Sequence, residues 1–143
     1  MGGEKFLDIK ARFGDLDVAG AVVVATIRSQ KYNGGQPRDE LTTENLDALK
    51  KGVVNLERHV DNLRKFGLAP IVALNLFGSD TEAEREYMRQ WAKDFGVPLE
   101  EADVWSKGGE GATDLAKLVL ENLSAGTATQ LYDPTKGIEA SIE

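Results

Sequence analysis

The sequence predicts an α/β fold, a three-layer Rossmann-like domain with a mostly parallel sheet of few strands. Three observations support this prediction. Two continuous apolar runs, 19–29 and 69–78, have the composition of strands buried on both faces. A long amphipathic segment separates them, as in a right-handed strand–helix–strand crossover. The pattern then repeats, with a second helix and a short third strand after the second run.

Residues 41–67 are predicted to form the crossover helix. Thr42 or Thr43 can cap its start, and Gly67 can end it. Apolar residues recur at spacings of three and four, which places them on one helix face: Leu46, Leu49, Val53, Leu56, Val60, Leu63 and Phe66.

The second unit is shorter. Ser79 or Asp80 is positioned to cap its helix, and Gly96–Pro98 to stop it. Residues 99–105 predict the third strand with its approach, and residues 111–123 predict a third helix. That helix has one apolar face, formed by Leu115, Leu118, Val119 and Leu123.

The whole chain, 1–143, is predicted to be one domain. It divides into an N-terminal segment (1–18), a core (19–124) and a tail (125–143). The N-terminal segment can form a short amphipathic helix whose apolar face is Phe6, Ile9 and Phe13. Three strands leave sheet edges open and cover the helices poorly. We therefore expect the domain to be incomplete without more protein, and to self-associate or to be marginally stable by itself.

Composition excludes several classes of function. The net charge of −7 without a basic stripe argues against a nucleic-acid partner. The absence of cysteine excludes disulfides, thiolate metal sites and cysteine nucleophiles, and the single histidine, His59, excludes a multi-histidine metal site. No apolar run approaches a bilayer span, and no signal segment opens the chain. These features predict a cytoplasmic domain without a metal site or a membrane partner.

Glycines cluster ahead of the third helix, at Gly108, Gly109 and Gly111. A phosphate-binding P-loop needs GxxxxGK[ST], and no lysine follows these glycines; Glu110 also places a negative charge where an anion would sit. The dinucleotide fingerprint GxGxxG is absent as well. Two interpretations stay open: a tight strand-to-helix turn with close packing, or a loop that faces a ligand.

Ligands of parallel α/β sheets bind beyond the carboxyl ends of the strands, where the loops 28–35, 75–80 and 105–111 are expected. Phe77 and Trp105 could sandwich a heteroaromatic ring there, although packing in the core or at its rim is an equal alternative for each. Asn75 could bond a ring edge, and Lys31 and Lys107 could meet anionic groups.

Other polar and aromatic residues have structural interpretations. Trp91, inside a helix, predicts packing, and His59 predicts a partly solvated helix edge without chemistry. No catalytic constellation stands out, so no catalytic residue is assigned. The acidic residues Glu82, Glu84, Glu86, Glu100 and Glu101 are predicted to be solvated.

Long segments of the chain resemble consecutive segments of formate–tetrahydrofolate ligase, also called 10-formyltetrahydrofolate synthetase. They are "EKFLDIKAR", "VVVATIRSQKYNGG", "ENLDALKKGVVNLERHVDNLRKFGLAPIVALNLFGSDTEAE" and "VWSKGGEGATDLAKLV", in order over nearly the whole chain. The tail "TQLYD" is similar too. For the whole enzyme the resemblance implies synthesis of 10-formyltetrahydrofolate from formate, ATP and tetrahydrofolate, with magnesium and a formyl phosphate intermediate.

The resemblance also implies where the folate ring binds. The two aromatics that stack on the pterin fall on Phe77 and Trp105, and Leu76 and Gly78 would flank the slot. The glycine turn would then position Trp105. The substrate-binding set predicted for this chain is Asn75, Leu76, Phe77, Gly78, Trp105, Lys107, Gly108 and Gly109.

The chain departs from the family pattern in three ways. The family's P-loop and the basic residues around formyl phosphate lie in an earlier part of its longer chain and are not here. Asn33 stands where the family usually has histidine, and Gly78 where it often has proline. We expect an internal, folate-binding-side domain that holds no cofactor of its own and is inactive alone. The expected partners are folate, bound weakly, and the remaining ligase domains or a second copy. The alternatives are a stand-alone binding module and one half of a split ligase.

Overall fold

The computed structural model describes residues 2–123 and 128–142. Its sheet contains three parallel strands in the order β1 (Ala21–Ala25), β2 (Pro70–Asn75) and β3 (Leu99–Ala102). Ala21 pairs with Pro70, and Val72 pairs with Leu99. The predicted α/β fold and the parallel pairing of the first two strands are confirmed. The predicted boundary between core and tail, at 124–125, lies outside the described residues.

The described helices are α1 (Gly2–Lys5), α2 (Arg12–Gly14), α3 (Ile27–Asn33), α4 (Leu46–Lys65), α5 (Glu82–Phe95), α6 (Val104–Lys107), α7 (Thr113–Asn122) and α8 (Ile138–Ile142). A π-helical stretch, Phe6–Ala11, joins α1 to α2, and 3-10 turns occupy Arg38–Glu40, Gly108–Ala112 and Pro134–Lys136. Within the described ranges, no helix combines the length and the apolar character needed to cross a bilayer.

Helix α4 is the predicted crossover between β1 and β2. Its N-cap is Asn45 rather than Thr42 or Thr43, because the Asn45 side-chain oxygen accepts the Ala48 N–H at 2.9 Å. Gly67 follows the helix with φ of 79°, in the left-handed region that a helix end commonly needs, as predicted.

Helix α5 begins at a capping box formed by Thr81 and Glu84, not at Ser79 or Asp80. The Thr81 hydroxyl accepts the Glu84 N–H at 3.3 Å, and the Glu84 carboxylate accepts the Thr81 N–H at 3.2 Å. Gly96, with φ of 69°, ends the helix as predicted.

The main core lies between the sheet and helices α3, α4 and α5, where Ile27, Leu49, Val72 and Met88 are buried. Trp91 is buried in this core; its ring stacks on Phe95, and its Nε1–H donates to the Glu57 carboxylate at 2.9 Å. The predicted packing role of Trp91 is confirmed.

Helix α3 occupies part of the stretch that was predicted to be a strand and then an open loop. The Thr26 hydroxyl accepts the Ser29 N–H at 3.0 Å, and the Ser29 hydroxyl accepts the Thr26 N–H at 3.3 Å, which starts a helix directly after β1. Gly52 of α4 lets this helix approach closely, because a Cβ there would lie 1.7 Å from the Gln30 carbonyl oxygen. The first strand is therefore shorter than predicted.

The N-terminal segment is helical as predicted, but it buries a different set of residues. Leu7 and Ala11 are buried, and Leu7 packs with Phe66 and Leu68. The side chains predicted to face inward, Phe6, Ile9 and Phe13, are exposed instead. The wider π-helical turn over Phe6–Ala11 changes which positions share a face, so a face derived from α-helical spacing does not hold across it.

Strand β1 was expected to be buried on both faces, and this prediction is wrong. Val22 and Val24 are 43% and 69% exposed. β1 is an edge strand, and these two side chains alternate with the more buried Val23 and Ala25. The result is an apolar edge without a charge or a proline, the kind of edge that natural sheets usually protect.

A fully buried ion pair joins α3 to α5. Lys31 Nζ lies 2.8 Å from the Glu84 carboxylate and also donates to the Thr43 carbonyl at 2.9 Å. The same carboxylate accepts the Asn45 N–H at 3.0 Å. Two predictions are wrong here: Lys31 is not available to an external anion, and Glu84 is not solvated. Lys31 and Glu84 are buried as a pair because the partner of each lies on another helix, and the local charge pattern does not reveal such a partner.

Glu101 is also less solvated than predicted. It bonds Arg85, and the Arg89 Nε–H donates to it at 2.9 Å. Glu82 and Glu86 are largely exposed as predicted, and both pair with Arg89 at the surface.

Replacing Glu84 with leucine should destabilise the chain by about 3–5 kcal/mol, because Lys31 would be left charged and buried. Glu86→Leu, at an exposed pair, should change the free energy of unfolding by less than about 1 kcal/mol. The double variant Lys31→Met/Glu84→Leu should recover much of the loss, since neither charge remains. Urea unfolding measures all three. Equal costs for Glu84→Leu and Glu86→Leu would contradict a dominant buried pair.

The same pair predicts the direction of acid sensitivity. Burial disfavours ionised Glu84, but hydrogen bonds from Lys31, Asn45 and Thr81 outweigh it, so the pKa of Glu84 lies below its ordinary value of 4.5. A carboxyl with a lowered folded pKa stabilises fully above its unfolded pKa, and this is lost as pH falls through the folded value. Urea midpoints below pH 4.5 should therefore fall more steeply for the native chain than for the double variant.

The exposed edge of β1 should cause the isolated chain to self-associate. Val24→Lys should suppress this, because a charge on an edge strand disfavours strand addition. Val54→Lys, at an exposed position of α4, is the matched control and should leave self-association unchanged. Sedimentation velocity at several concentrations measures the effect. A native chain that stays monomeric throughout would argue against it.

Candidate functional site

The predicted site lies where β2 and β3 end side by side. Asn75, the last residue of β2, is in register with Ala102, the last residue of β3. The Leu76 N–H extends this pairing by donating to the Ala102 carbonyl at 3.0 Å. The chain that follows each strand therefore leaves the sheet at the same edge, as expected for parallel strands.

A tight turn follows β2. The Phe77 N–H donates to the Asp80 carboxylate at 2.8 Å, and the Asp80 N–H donates back to the Phe77 carbonyl at 2.9 Å. Leu76 packs against the main core, whereas Gly78 is exposed at the tip of the turn. Burial raises the pKa of Asp80, opposed by the Phe77 N–H and by the charge of Arg28.

The half-buried ring of Phe77 has a cation on one face. The Arg28 guanidinium carbon lies 4.4 Å from the ring centroid, within the range of a cation–π contact. Arg28 Nη2 also donates to the Ser79 hydroxyl at 2.9 Å. A flat ligand would have to stack on the ring face that Arg28 does not cover.

Trp105 lies on the short helix α6, after β3. Its side chain is 87% exposed, so packing in the core is wrong as an explanation for it in this structure. Around it, the Ser106 hydroxyl bonds the Asp103 carboxylate, which lowers the pKa of Asp103, and Lys107 Nζ lies 3.5 Å from the same carboxylate. Lys107 is itself largely exposed and keeps free access to solvent.

Two of the clustered glycines are required by the backbone. A Cβ at Gly111 would lie 2.2 Å from the Asp103 carbonyl oxygen. The same two residues are joined by a hydrogen bond, in which the Asp103 N–H donates to the Gly111 carbonyl at 3.0 Å. Gly108 adopts φ of 58° and ψ of −141°, a conformation largely limited to glycine. Gly109 meets neither constraint, because a Cβ there would contact nothing within 4 Å. The tight-turn interpretation therefore accounts for Gly108 and Gly111 but not for Gly109.

The predicted substrate-binding residues form two groups on neighbouring strands. The first follows β2 and the second follows β3, and no ring contact joins Phe77 to Trp105 among the described side chains. That these two rings face each other across a slot stays a prediction. Sequence reasoning missed Arg28, Ser79 and Asp80, which build the turn around Phe77. The available signal was the Thr26–Ser29 capping box, which ends the first strand just before Arg28.

A cavity of about 340 Å³ lies elsewhere, at the amino-terminal end of the sheet. Apolar side chains such as Leu63, Phe66 and Leu68 line most of it, with His59 and Asn62 on the wall. His59 is half-buried at the edge of α4, as predicted. None of the predicted site residues lines this cavity, so the cavity is not part of the site at the carboxyl edge of the sheet.

Gly111→Ala should distort the loop that holds Trp105, because the new methyl group collides with backbone rather than with a movable side chain. We expect a loss of stability on the order of 1–3 kcal/mol and a changed Trp105 fluorescence maximum. Gly109→Ala is the matched control and should leave both nearly unchanged. Similar behaviour of the two variants would show that the close contact at Gly111 is not a constraint.

Known proteins are similar to this chain over almost its full extent. The family model of formate–tetrahydrofolate ligase matches residues 1–143. The formate–tetrahydrofolate ligase of Corynebacterium diphtheriae is 58% identical over 142 residues, which is 99% of this chain and 26% of that protein. The ligase of Corynebacterium jeikeium is 50% identical over 149 residues (99% and 25%), and that of Staphylococcus aureus 49% over 144 residues (100% and 26%). The chain spans about a quarter of the length of these curated relatives. It belongs to the formate–tetrahydrofolate ligase family.

Proposed function

We propose that this chain provides the tetrahydrofolate-ring side of a formate–tetrahydrofolate ligase site, centred on Phe77 and Trp105. The observation that supports this most is the exposure of Trp105: 87% of a large apolar ring faces solvent at the carboxyl edge of a parallel sheet. An indole is usually well buried, so such exposure beside a second aromatic loop is informative. The name of the relatives states tetrahydrofolate as their substrate.

The chemistry of the neighbouring residues fits a flat, polar, heteroaromatic ligand. Aromatic side chains stack on such rings with offset or edge-to-face geometry, and each pair contributes about 0.5–1.5 kcal/mol beyond area burial. Asn75 would hydrogen-bond the ring edge, and the exposed ammonium of Lys107 would meet an anionic group. Gly78 and Gly109 have open space around them, which leaves room for a ligand against the backbone. Leu76 and Gly108 complete the proposed set.

The phosphate chemistry of the ligase belongs, in this proposal, to polypeptide other than residues 1–143. The sequence has no GxxxxGK[ST] segment to hold a triphosphate and its magnesium. The relatives are about four times as long as this chain, which leaves ample length for an ATP site. We propose that the chain alone does not synthesise 10-formyltetrahydrofolate.

The exposed face of β1 bears on the alternatives. An uncharged apolar edge is costly for a stand-alone binding module and suits a domain that packs on further ligase polypeptide. This polypeptide would be joined covalently or supplied as the other part of a split ligase. The partners proposed for the chain are therefore a folate, bound weakly, and the remaining ligase domains.

Calorimetric titration of the chain with tetrahydrofolate tests the ring site. We expect a dissociation constant in the high micromolar range, which corresponds to a binding free energy of about 5 kcal/mol in magnitude, because only part of the site is present. Trp105→Ala should remove most of the binding while the free energy of unfolding changes by less than about 0.5 kcal/mol. Phe13→Ala removes an exposed ring at the N-terminal segment and should leave binding unchanged. Undiminished binding by Trp105→Ala would refute the site.

A separate assay tests the catalytic part of the proposal. The chain incubated with formate, magnesium ATP and tetrahydrofolate should give no product above the blank. Turnover by the pure chain would show that ATP is used without a P-loop. It would not bear on the ring site, which the titration tests separately.

A further inference from the structure

We infer that Arg28 is a positioning residue that holds the Phe77 ring in one orientation, with one face covered and the other free to stack. This rests on the proposed function only for its consequence in ligand binding; the positioning itself is a property of the free chain. The inference concerns a residue on α3, outside the two loops that contain the proposed substrate-binding set.

The contacts of Arg28 are directed at the Phe77 turn. Its guanidinium lies over the ring at 4.4 Å, and Nε and Nη2 converge on the Ser79 hydroxyl at 3.3 and 2.9 Å. Within residues 2–123 and 128–142, Arg28 forms no ion pair with a carboxylate. Its hydrogen bonds go to Ser79, its ring contact to Phe77, and its charge also acts on Asp80, so all three interactions are with the Phe77 turn.

The turn needs such a restraint. Gly78 follows Phe77, is exposed and has no neighbour within 4 Å of a Cβ position, so it adds nothing to the rigidity of the turn. The Asp80 carboxylate fixes the backbone of Phe77 through its N–H at 2.8 Å. It does not fix the side-chain torsions of the ring. Arg28, by contrast, contacts the ring itself.

Arg28 is in turn held by the helix on which it lies. It is the second residue of α3, whose start is set by the Thr26–Ser29 capping box. The same helix is joined to α5 by the buried Lys31–Glu84 pair. The orientation of Phe77 is therefore linked to the placement of α3, and a preorganised ring spares a ligand the cost of ordering it.

Two variants distinguish the contribution of the Arg28 guanidinium from that of the Ser79 hydroxyl to which it donates. Arg28→Met keeps an unbranched stem and removes the cation, and Ser79→Ala removes only the hydroxyl that Arg28 binds. In the free chain, the ring protons of Phe77 should show nuclear Overhauser contacts to the backbone N–H protons of residues 79 and 80, as expected of a ring held in one orientation. These contacts should be lost in Arg28→Met and weakened in Ser79→Ala. Arg58→Met, at an exposed position of α4, is the control and should leave the signals unchanged.

Titration with tetrahydrofolate gives the consequence for binding. Arg28→Met should weaken binding about tenfold, and Arg28→Lys, which keeps the charge, should weaken it less. The double variant Arg28→Met/Ser79→Ala should bind no worse than Arg28→Met alone, because both changes remove one interaction.

Unchanged Phe77 signals in Arg28→Met would overturn the inference whatever the titration shows. Where the native chain binds tetrahydrofolate measurably, equal affinity of Arg28→Met would overturn it as well. If the native chain binds no tetrahydrofolate but Phe77 loses its fixed orientation in Arg28→Met, the inference stands and the proposed function fails.

Discussion

A single buried carboxylate, that of Glu84, connects the elements at the carboxyl edge of the sheet. It pairs with Lys31 of α3, accepts the N–H of Asn45 at the start of α4, and closes the capping box of its own helix with Thr81. One side chain thus joins the last turn of α3 to the starting regions of α4 and α5. Removing two charges from water costs several kcal/mol each, and the pair recovers that cost only with good geometry and additional hydrogen bonds. Glu84 has these bonds, so the pair is better understood as a device that fixes the arrangement of helices than as a source of net stability.

The site inherits its geometry from this arrangement. Helix α3 presents Arg28 to the Phe77 ring, and the turn after β2 is closed by reciprocal bonds between Phe77 and Asp80. On the neighbouring strand, the close contact between Gly111 and Asp103 closes the loop that holds Trp105. A backbone held by such bonds, with one half-buried and one exposed aromatic ring, is the arrangement expected of a surface that stacks a flat ligand, because little ordering is required on binding.

Exposed apolar side chains on β1 and on the N-terminal segment bear on the relation of the chain to longer proteins. Val22 and Val24 are exposed on the edge strand, and Phe6, Ile9 and Phe13 are exposed on the N-terminal segment. The relatives that share this sequence are about four times as long. Exposed apolar surface of this extent is typical of a face that other protein covers.

By itself, the sequence determined the parallel sheet, the crossover helix and the ends of two helices at Gly67 and Gly96. Apolar periodicity and the left-handed preference of glycine are local properties, so a single chain displays them. Positions after predicted strands singled out Phe77 and Trp105, and the resemblance predicts that they stack on a pterin. Only the tertiary structure decided which side chains are buried or paired: Lys31 and Glu84 share an ion pair, Val24 is exposed, and Arg28 covers a ring. Each of these depends on neighbours from distant segments, and a local pattern of charge or hydrophobicity cannot specify which distant segment will be adjacent.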